Sequence, residues 1–232
     1  MLTPLGAPIG VGHDPEAIRV GDFNDDGYAD LAVANYQDGT VTILLNNRDE
    51  TFSASNITVG AGPQALAITG TGTNLLLGVA NFVSNTVSVM QSNGNGTFAP
   101  QKLVSVGTGP DDVMFADFNG DGIPDLVSAN YTSGTVSLVL GNAGGTYSAS
   151  GQFPIGNNPY AAAVGDLNGD GTPDLVVANC FSDNTGLLLS RSQISVPYSG
   201  LGFVPGDQLH ARYTPDGSSK YGSSTSPEVT AP

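Results

Sequence analysis

Three stretches of this chain carry oxygen-bearing side chains at one fixed spacing. They read Asp22-Phe-Asn24-Asp-Asp26-Gly27-Tyr28-Ala-Asp30, Asp117-Phe-Asn119-Gly-Asp121-Gly122-Ile123-Pro-Asp125 and Asp166-Leu-Asn168-Gly-Asp170-Gly171-Thr172-Pro-Asp174. Counted from the first Asp, oxygens stand at positions 1, 3, 5 and 9, and glycine holds position 6. Side chains at 1, 3 and 5 of a tight turn converge, glycine permits the bend, and such a set of hard oxygen donors suits Ca2+. The backbone carbonyl at position 7, from Tyr28, Ile123 or Thr172, is a further donor. Carboxylates about 4–5 Å apart repel by roughly 3–4 kcal/mol per pair at an effective dielectric near 20, so a bound cation offsets a real cost.

One Asp/Asn/Gly loop is also ordinary turn chemistry. The same spacing three times points instead to three Ca2+ sites. The loops are not EF-hands, because position 12 is Val33, Ser128 or Val177 in place of Glu and falls in an expected strand.

The elements that must hold these loops recur as well. Asn35, Asn81, Asn130 and Asn179 mark the same point in four units spaced by nearly 50 residues, a period that belongs to repeat architectures. Each unit opens on an entry with proline (Asp14-Pro15, Gly62-Pro63, Gly109-Pro110, Asn158-Pro159) followed by an apolar strand. After the loop comes a second strand, such as Leu31-Ala-Val-Ala34, and then a third with period-two alternation. Thr40-Val-Thr-Ile43, Thr86-Val-Ser-Val89 and Thr135-Val-Ser-Leu138 have the pattern of half-buried strands. A Gly/Asn hairpin ending in an aromatic leads to a short fourth strand, as at Leu103–Val106. The second unit has Gly70-Thr-Gly-Thr-Asn74 where the others have acids, so it should bind no metal.

Four strands per unit predict an all-β, β-propeller-like array of about four four-stranded blades, as a closed small ring or a partial propeller, with a short C-terminal β tail. The expected units are 11–60, 61–107, 108–156 and 157–191. Residues 1–10 offer a possible closing strand. From 192 to 232 the pattern changes to a tail, partly Ig-like or irregular, in which Gln208–Tyr213 reads as one amphipathic strand.

The motif GDFNGDGxPDL resembles the FG-GAP/VCBS repeats of integrin α-subunits and bacterial surface proteins over about residues 5–190. The resemblance implies structural Ca2+ between the first two strands of a blade, held by the loop residues named above. The tail is similar to the last strands of a bacterial Ig-like repeat.

Composition bounds the function. The chain has 232 residues, 32 of them Gly and 15 Pro, with 21 acidic against 6 basic residues for a net charge of −15. That charge opposes binding to nucleic-acid phosphates. No apolar run is long enough to span a membrane as a helix, so no membrane insertion is expected. Eighteen of the acids are Asp, and nine of these hold positions 1, 5 and 9 of the three loops. His13 and His210 lie in unrelated regions, and Cys180, at a position where other units carry aromatics, reads as a packing residue. No catalytic constellation stands out, and none is expected.

The resulting expectation is a non-catalytic, calcium-binding extracellular module for adhesion or recognition, with a protein or glycan ligand at the cell surface. The alternatives are a carbohydrate-binding, lectin-like or accessory module of a polysaccharide-active surface protein, and a structural spacer in a surface or filament protein. Secretion or surface location is implied by weak extracellular calcium sites and by the resemblance, since Met1-Leu-Thr-Pro-Leu shows no signal-peptide pattern and leaves open a truncated start. Asn56, Asn95 and Asn130 fit the glycosylation pattern.

Overall fold

The computed structural model describes residues 6–190 and, beyond them, the short strands 208–209, 212–213, 224–225 and 229–230. The chain divides into two compact units, Met1–Ser192 and Gln193–Pro232.

The first unit is four antiparallel meanders in sequence order. Blade 1 is β1 (Pro15–Gly21), β2 (Asp30–Asn35), β3 (Thr40–Asn46) and β4 (Phe52–Thr58). Blade 2 is β5 (Pro63–Thr69), β6 (Leu76–Asn81), β7 (Thr86–Gln91) and β8 (Lys102–Ser105). Blade 3 is β9 (Pro110–Ala116), β10 (Asp125–Asn130), β11 (Thr135–Asn142) and β12 (Thr146–Pro154). Blade 4 has three strands among the described residues, β13 (Pro159–Gly165), β14 (Asp174–Asn179) and β15 (Asn184–Leu188). Residues 6–14 form no strand.

The first strands of successive blades, β1, β5, β9 and β13, pack on one another and form the inner wall of the array. A cavity of about 410 Å³ lies between them, with Arg19 and Asp112 in its lining. The blades stack face to face, and every blade–blade seam is an apolar core. Ala32, Ala34, Val41 and Ile43 of blade 1 meet Leu66, Leu77, Val79 and Met90 of blade 2. Ala80, Val87 and Val89 of blade 2 meet Val113, Leu126 and Val139 of blade 3. Val127, Ala129 and Val136 of blade 3 meet Leu175 and Val177 of blade 4. The strands of blades 1 and 4 do not pack together as neighbouring blades do, so the array is open.

The third strands of blades 1 to 3 are buried on both faces, which corrects the expectation that they are half-buried. Thr42, Ser88 and Ser137 are themselves buried. Their hydroxyls accept hydrogen bonds from the Asn that marks each unit: Asn35 to Thr42 at 2.8 Å, Asn81 to Ser88 at 2.9 Å and Asn130 to Ser137 at 3.0 Å. A buried amide needs such partners, and the alternation of Thr or Ser with aliphatics supplies them. Each Asn also lies against a glycine at the entry to its unit. A Cβ added at Gly12, Gly60, Gly107 or Gly156 would fall 2.4–2.6 Å from the nearest Asn side-chain atom.

The second unit contains two separate two-stranded ladders, β16 (Gln208–Leu209) with β19 (Val229–Thr230) and β17 (Arg212–Tyr213) with β18 (Ser224–Thr225). The single strand expected over 208–213 is therefore two strands in two sheets. The Ig-like reading otherwise falls outside the described residues.

Candidate metal centres

Each Asp-rich loop joins the first strand of a blade to the second, at the end of the blade away from the buried Asn. Main-chain geometry sets the turn, with glycine at position 6 in the left-handed region: φ is 84° at Gly27, 80° at Gly122 and 83° at Gly171. The position-1 carboxylate gathers the amides that follow it. Asp117 accepts from Gly120 (2.7 Å), Asp121 (3.1 Å) and Gly122 (2.8 Å), and Asp166 accepts in the same way from Gly169, Asp170 and Gly171. In the first loop Asp22 accepts from Asp26 and Gly27. Asn24, Asn119 and Asn168 each accept the amide of the Asp two residues on and donate to that same carboxylate. The position-5 oxygens, from Asp26, Asp121 and Asp170, accept the amides of Tyr28, Ile123 and Thr172. Positions 1, 3 and 5 are thus brought together in all three loops.

Position 9 has a further role that the spacing did not reveal. Asp30, Asp125 and Asp174 are completely buried, and each clasps two distant backbone amides. Asp30 accepts from Phe23 (2.9 Å) and Asn46 (2.8 Å), and Asp125 from Phe118 and Gly141 (both 2.9 Å). Asp174 accepts from Leu167 (2.9 Å) and Ser190 (2.8 Å). The clasp ties the loop to the end of the third strand, 16 residues along the chain.

Among the described residues no three His, Cys, Asp or Glu side chains converge as a metal-binding group. In each loop the gathered donors are two carboxylates and an amide, while the third carboxylate is turned onto backbone N–H groups. The Asp30 and Asp125 oxygens each accept one hydrogen bond and keep a second lone pair that suits a hard cation, whereas both Asp174 oxygens accept two. Burial pushes the Asp125 carboxyl above the usual carboxylate range, and the charges of Asp121 and Asp117 add to the push. That carboxyl therefore lies within electrostatic reach of positions 1 and 5.

The first loop also carries a cation from a neighbouring strand connection. The Arg48 guanidinium lies 3.0 Å from Asp26 Oδ2 and stacks 4.6 Å from the centre of the Tyr28 ring. The Tyr28 amide, followed by Arg48 and Asn24, holds Asp26 below its ordinary pKa. The hydroxyl and amide of Thr172 do the same for Asp170. In blade 2 a single turn of 3-10 helix, Gly72–Asn74, replaces the loop, and Leu76 pairs where the clasping Asp would stand.

The other sequence candidates resolve as follows. Asn130 is buried, which removes it as a glycan acceptor, whereas Asn56 and Asn95 are exposed. Cys180 is exposed and is not the packing residue expected. His13 bonds to the exposed Asp38 at 2.9 Å. The aromatics near the marker Asn form a row, with ring centres 6.3 Å apart for Phe82–Tyr131 and 6.4 Å for Tyr131–Phe181. Phe181 is 68% exposed.

One cluster was missed entirely. The residue after each entry proline, Glu16, Gln64, Asp111 and Tyr160, takes the same place on the inner strands. Burial pushes the Asp111 carboxyl up to about 6, assisted by the charges of Asp112 and Glu16. Asp112 accepts the Ala162 amide of blade 4 at 2.9 Å, and burial raises its pKa too. The recurring Pro-X position, with acids in two of four units, was the available signal.

No curated protein sequence matches this chain. Among solved structures it resembles BBS1N in a lead-soaked complex with ARL6DN, at 18% identity and TM-score 0.50, over 75% of this chain and 50% of that one. It also resembles a 6-phosphogluconolactonase candidate from Bacteroides uniformis, at 18% identity and TM-score 0.56, over 76% of this chain and 53% of that one. The chain thus spans about half the length of these structures, and at such identity the likeness is one of fold alone. The FG-GAP-like repeat family matches three overlapping stretches, residues 22–74, 68–128 and 117–177. These stretches contain the three acidic loops and the acid-free turn of blade 2, and the chain belongs to the FG-GAP-like repeat family.

Proposed function

We propose that this chain is a non-catalytic recognition module whose three acidic loops bind Ca2+ outside the cell. The observation that carries the reading is the gathering of positions 1, 3 and 5 in the loops of blades 1, 3 and 4, set against the replacement of the loop in blade 2. Asp22, Asn24, Asp26 and the Tyr28 carbonyl would hold the first ion. Asp117, Asn119, Asp121 and the Ile123 carbonyl would hold the second, and Asp166, Asn168, Asp170 and the Thr172 carbonyl the third. Asp30 and Asp125 would complete the first two shells through their free lone pairs, and Asp174 would complete the third by giving up one of the hydrogen bonds it accepts from Ser190 or Asn168. The bound ion would supply positive charge that relieves carboxylate repulsion and stiffens the turn; it performs no chemistry on a substrate.

Sites with Kd of about 10⁻⁴ M would each add roughly 1.8 kcal/mol at about 2 mM free calcium. Calorimetry should therefore count three ions per chain, and a chelator should lower the melting temperature. A stoichiometry near zero with an unchanged melt overturns the reading.

A second reading, glycan binding, is favoured by the row Phe82–Tyr131–Phe181 with Asp111 beside Tyr131. Aromatic faces stack on sugars, and neighbouring carboxylates accept their hydroxyls. A glycan array probed with calcium and with chelator tests it, and the absence of any hit that Phe181→Ala removes would reject it.

A further inference from the structure

The first acidic loop differs from the other two by a pair of opposite charges. Position 4 is Asp25, left-handed at φ 58°, where the other loops carry Gly120 and Gly169 at φ 77°. Its carboxylate is turned toward blade 2, where a Cβ added at Gly72 would meet Asp25 Oδ2 at 3.4 Å. The opposite charge comes from Arg48 in the hairpin between β3 and β4. Arg48 is itself left-handed, at φ 68°, and its amide donates to Asn46 Oδ1 at 2.9 Å. The Asn46 amide is in turn the one that Asp30 clasps, so the backbone that delivers the guanidinium is tied to position 9 of the same loop. Two residues beyond the clasped amide, blade 3 has Ala143 in place of Arg48. Among the described residues the ion pairs are His13–Asp38 and Arg48–Asp26, so the acids of the other two loops have no cation beside them.

Arg48 reaches the oxygen that a metal ion would need. Asp26 Oδ2 accepts from Asn24 Nδ2 at 3.1 Å and so faces position 3, and Arg48 Nη2 lies 3.0 Å from this same atom. Among the described residues the matching oxygens of Asp121 and Asp170 accept only from Asn119 and Asn168. A second contact, to the Asp26 carbonyl at 3.4 Å, and the stack on Tyr28 hold the guanidinium over the turn. An ion bonded to Asp26 Oδ2 at about 2.3–2.6 Å would stand within about 5.6 Å of Arg48 Nη2, cation against cation.

We propose that Arg48 is the resident cation of the first loop, which Ca2+ must displace from Asp26 in order to bind there; the proposal rests on the calcium reading above. A half-exposed guanidinium held by one carboxylate and one ring is a modest competitor, so it weakens the first site by about five- to tenfold without abolishing it. Empty, the loop keeps Arg48 over Tyr28. Filled, it releases the guanidinium to the surface.

The test is a calcium titration of the nitrogen-15-labelled full chain, first freed of metal by chelator. The position-6 amides Gly27, Gly122 and Gly171 report the three loops separately. Arg48→Asn removes the charge and keeps a residue that tolerates the left-handed region. It should lower the calcium midpoint at Gly27 by about five- to tenfold, and leave those at Gly122 and Gly171 within about twofold. In the wild type the Arg48 Nε–H signal, displaced by the Tyr28 ring when no ion is bound, should move with the Gly27 midpoint. If Arg48→Asn fails to fold, Arg48→Gly replaces it with the same expectation. A Gly27 midpoint unchanged by the substitution, or an Arg48 signal that stays in place while Gly27 saturates, overturns the proposal and leaves the calcium sites standing. If no position-6 amide responds in either protein, the calcium reading itself fails and this proposal falls with it.

Discussion

Replacing Asp125 by asparagine separates the two roles that converge on position 9 of the loops. The side chain keeps its shape, but one of its two acceptors becomes an NH2 group. Either the Phe118 or the Gly141 amide then faces a donor, having lost a 2.9 Å bond to a buried carboxylate. A hydrogen bond to a charged group contributes about 1.5–3 kcal/mol, and an unpaired buried donor sets the loss toward the upper part of that range. For a unit of this size about 2.5 kcal/mol corresponds to a fall in Tm of roughly 5–10 °C. The clasp involves only protein atoms, so the loss should persist when calcium is removed by chelator. Denaturation of wild type and Asp125→Asn, each with calcium and with chelator, measures this directly. Amide exchange at Phe118 and Gly141 should quicken in the variant, while the blade 2 amides stay as they were. If chelator makes the two proteins equally stable, Asp125 acts only as a metal ligand and the clasp argument is refuted.

Three shorter tests follow from the same packing. Asp111 has a folded pKa raised to about 6, so the folded state holds its proton more tightly than the unfolded chain. Its contribution to stability is therefore present at low pH and is lost as pH rises from about 4 to about 6. Asp111→Asn should stabilise at pH 7 by about 1 kcal/mol, after discounting the shift for solvent screening, with the gain fading toward pH 4. A gain equal at both pH values would exclude this cause. Gly60→Ala places a Cβ 2.6 Å from Asn81 Cγ and should cost about 2 kcal/mol or more, whereas Gly10→Ala, with no atom nearby, should be close to neutral in the same urea titration. Phe23→Ala should cost about 3–5 kcal/mol because the ring is fully buried at the first seam, and Phe181→Ala less than about 0.5 kcal/mol because its ring is largely in water.

The repeat was legible because each blade uses the same local signals, and local signals survive in a single sequence. Proline at the entry, the Asp/Asn/Gly turn and the marker Asn placed four blades, including the one with no acids. The strand phase could be read, but not its burial on both faces, because that depends on the next blade some 50 residues away. The clasp escaped for the same reason. Nothing near Asp125 names Gly141 as its partner, and the pairing exists only once β10 and β11 lie side by side. Cys180 shows the limit of reading by homologous position. Its counterparts Tyr36, Phe82 and Tyr131 are partly covered, whereas Cys180 belongs to the last blade and is exposed. Position in a repeat predicts an environment only while a neighbour follows.

Blade 2 has a consequence for the order in which the molecule assembles. It alone has no acidic loop, yet it contributes to two of the three apolar seams, with Leu66, Leu77, Val79 and Met90 on one side and Ala80, Val87 and Val89 on the other. In a linear array whose units stabilise only their neighbours, the folding nucleus forms where seams are richest, and that is independent of metal. Calcium would then act on blades 1, 3 and 4 after the rate-limiting step. In a chevron experiment the refolding limb should be indifferent to calcium and the unfolding limb should slow with it. The blade that lost its cation chemistry would in this way act as the kinetic seed, and the ions as a brake on escape.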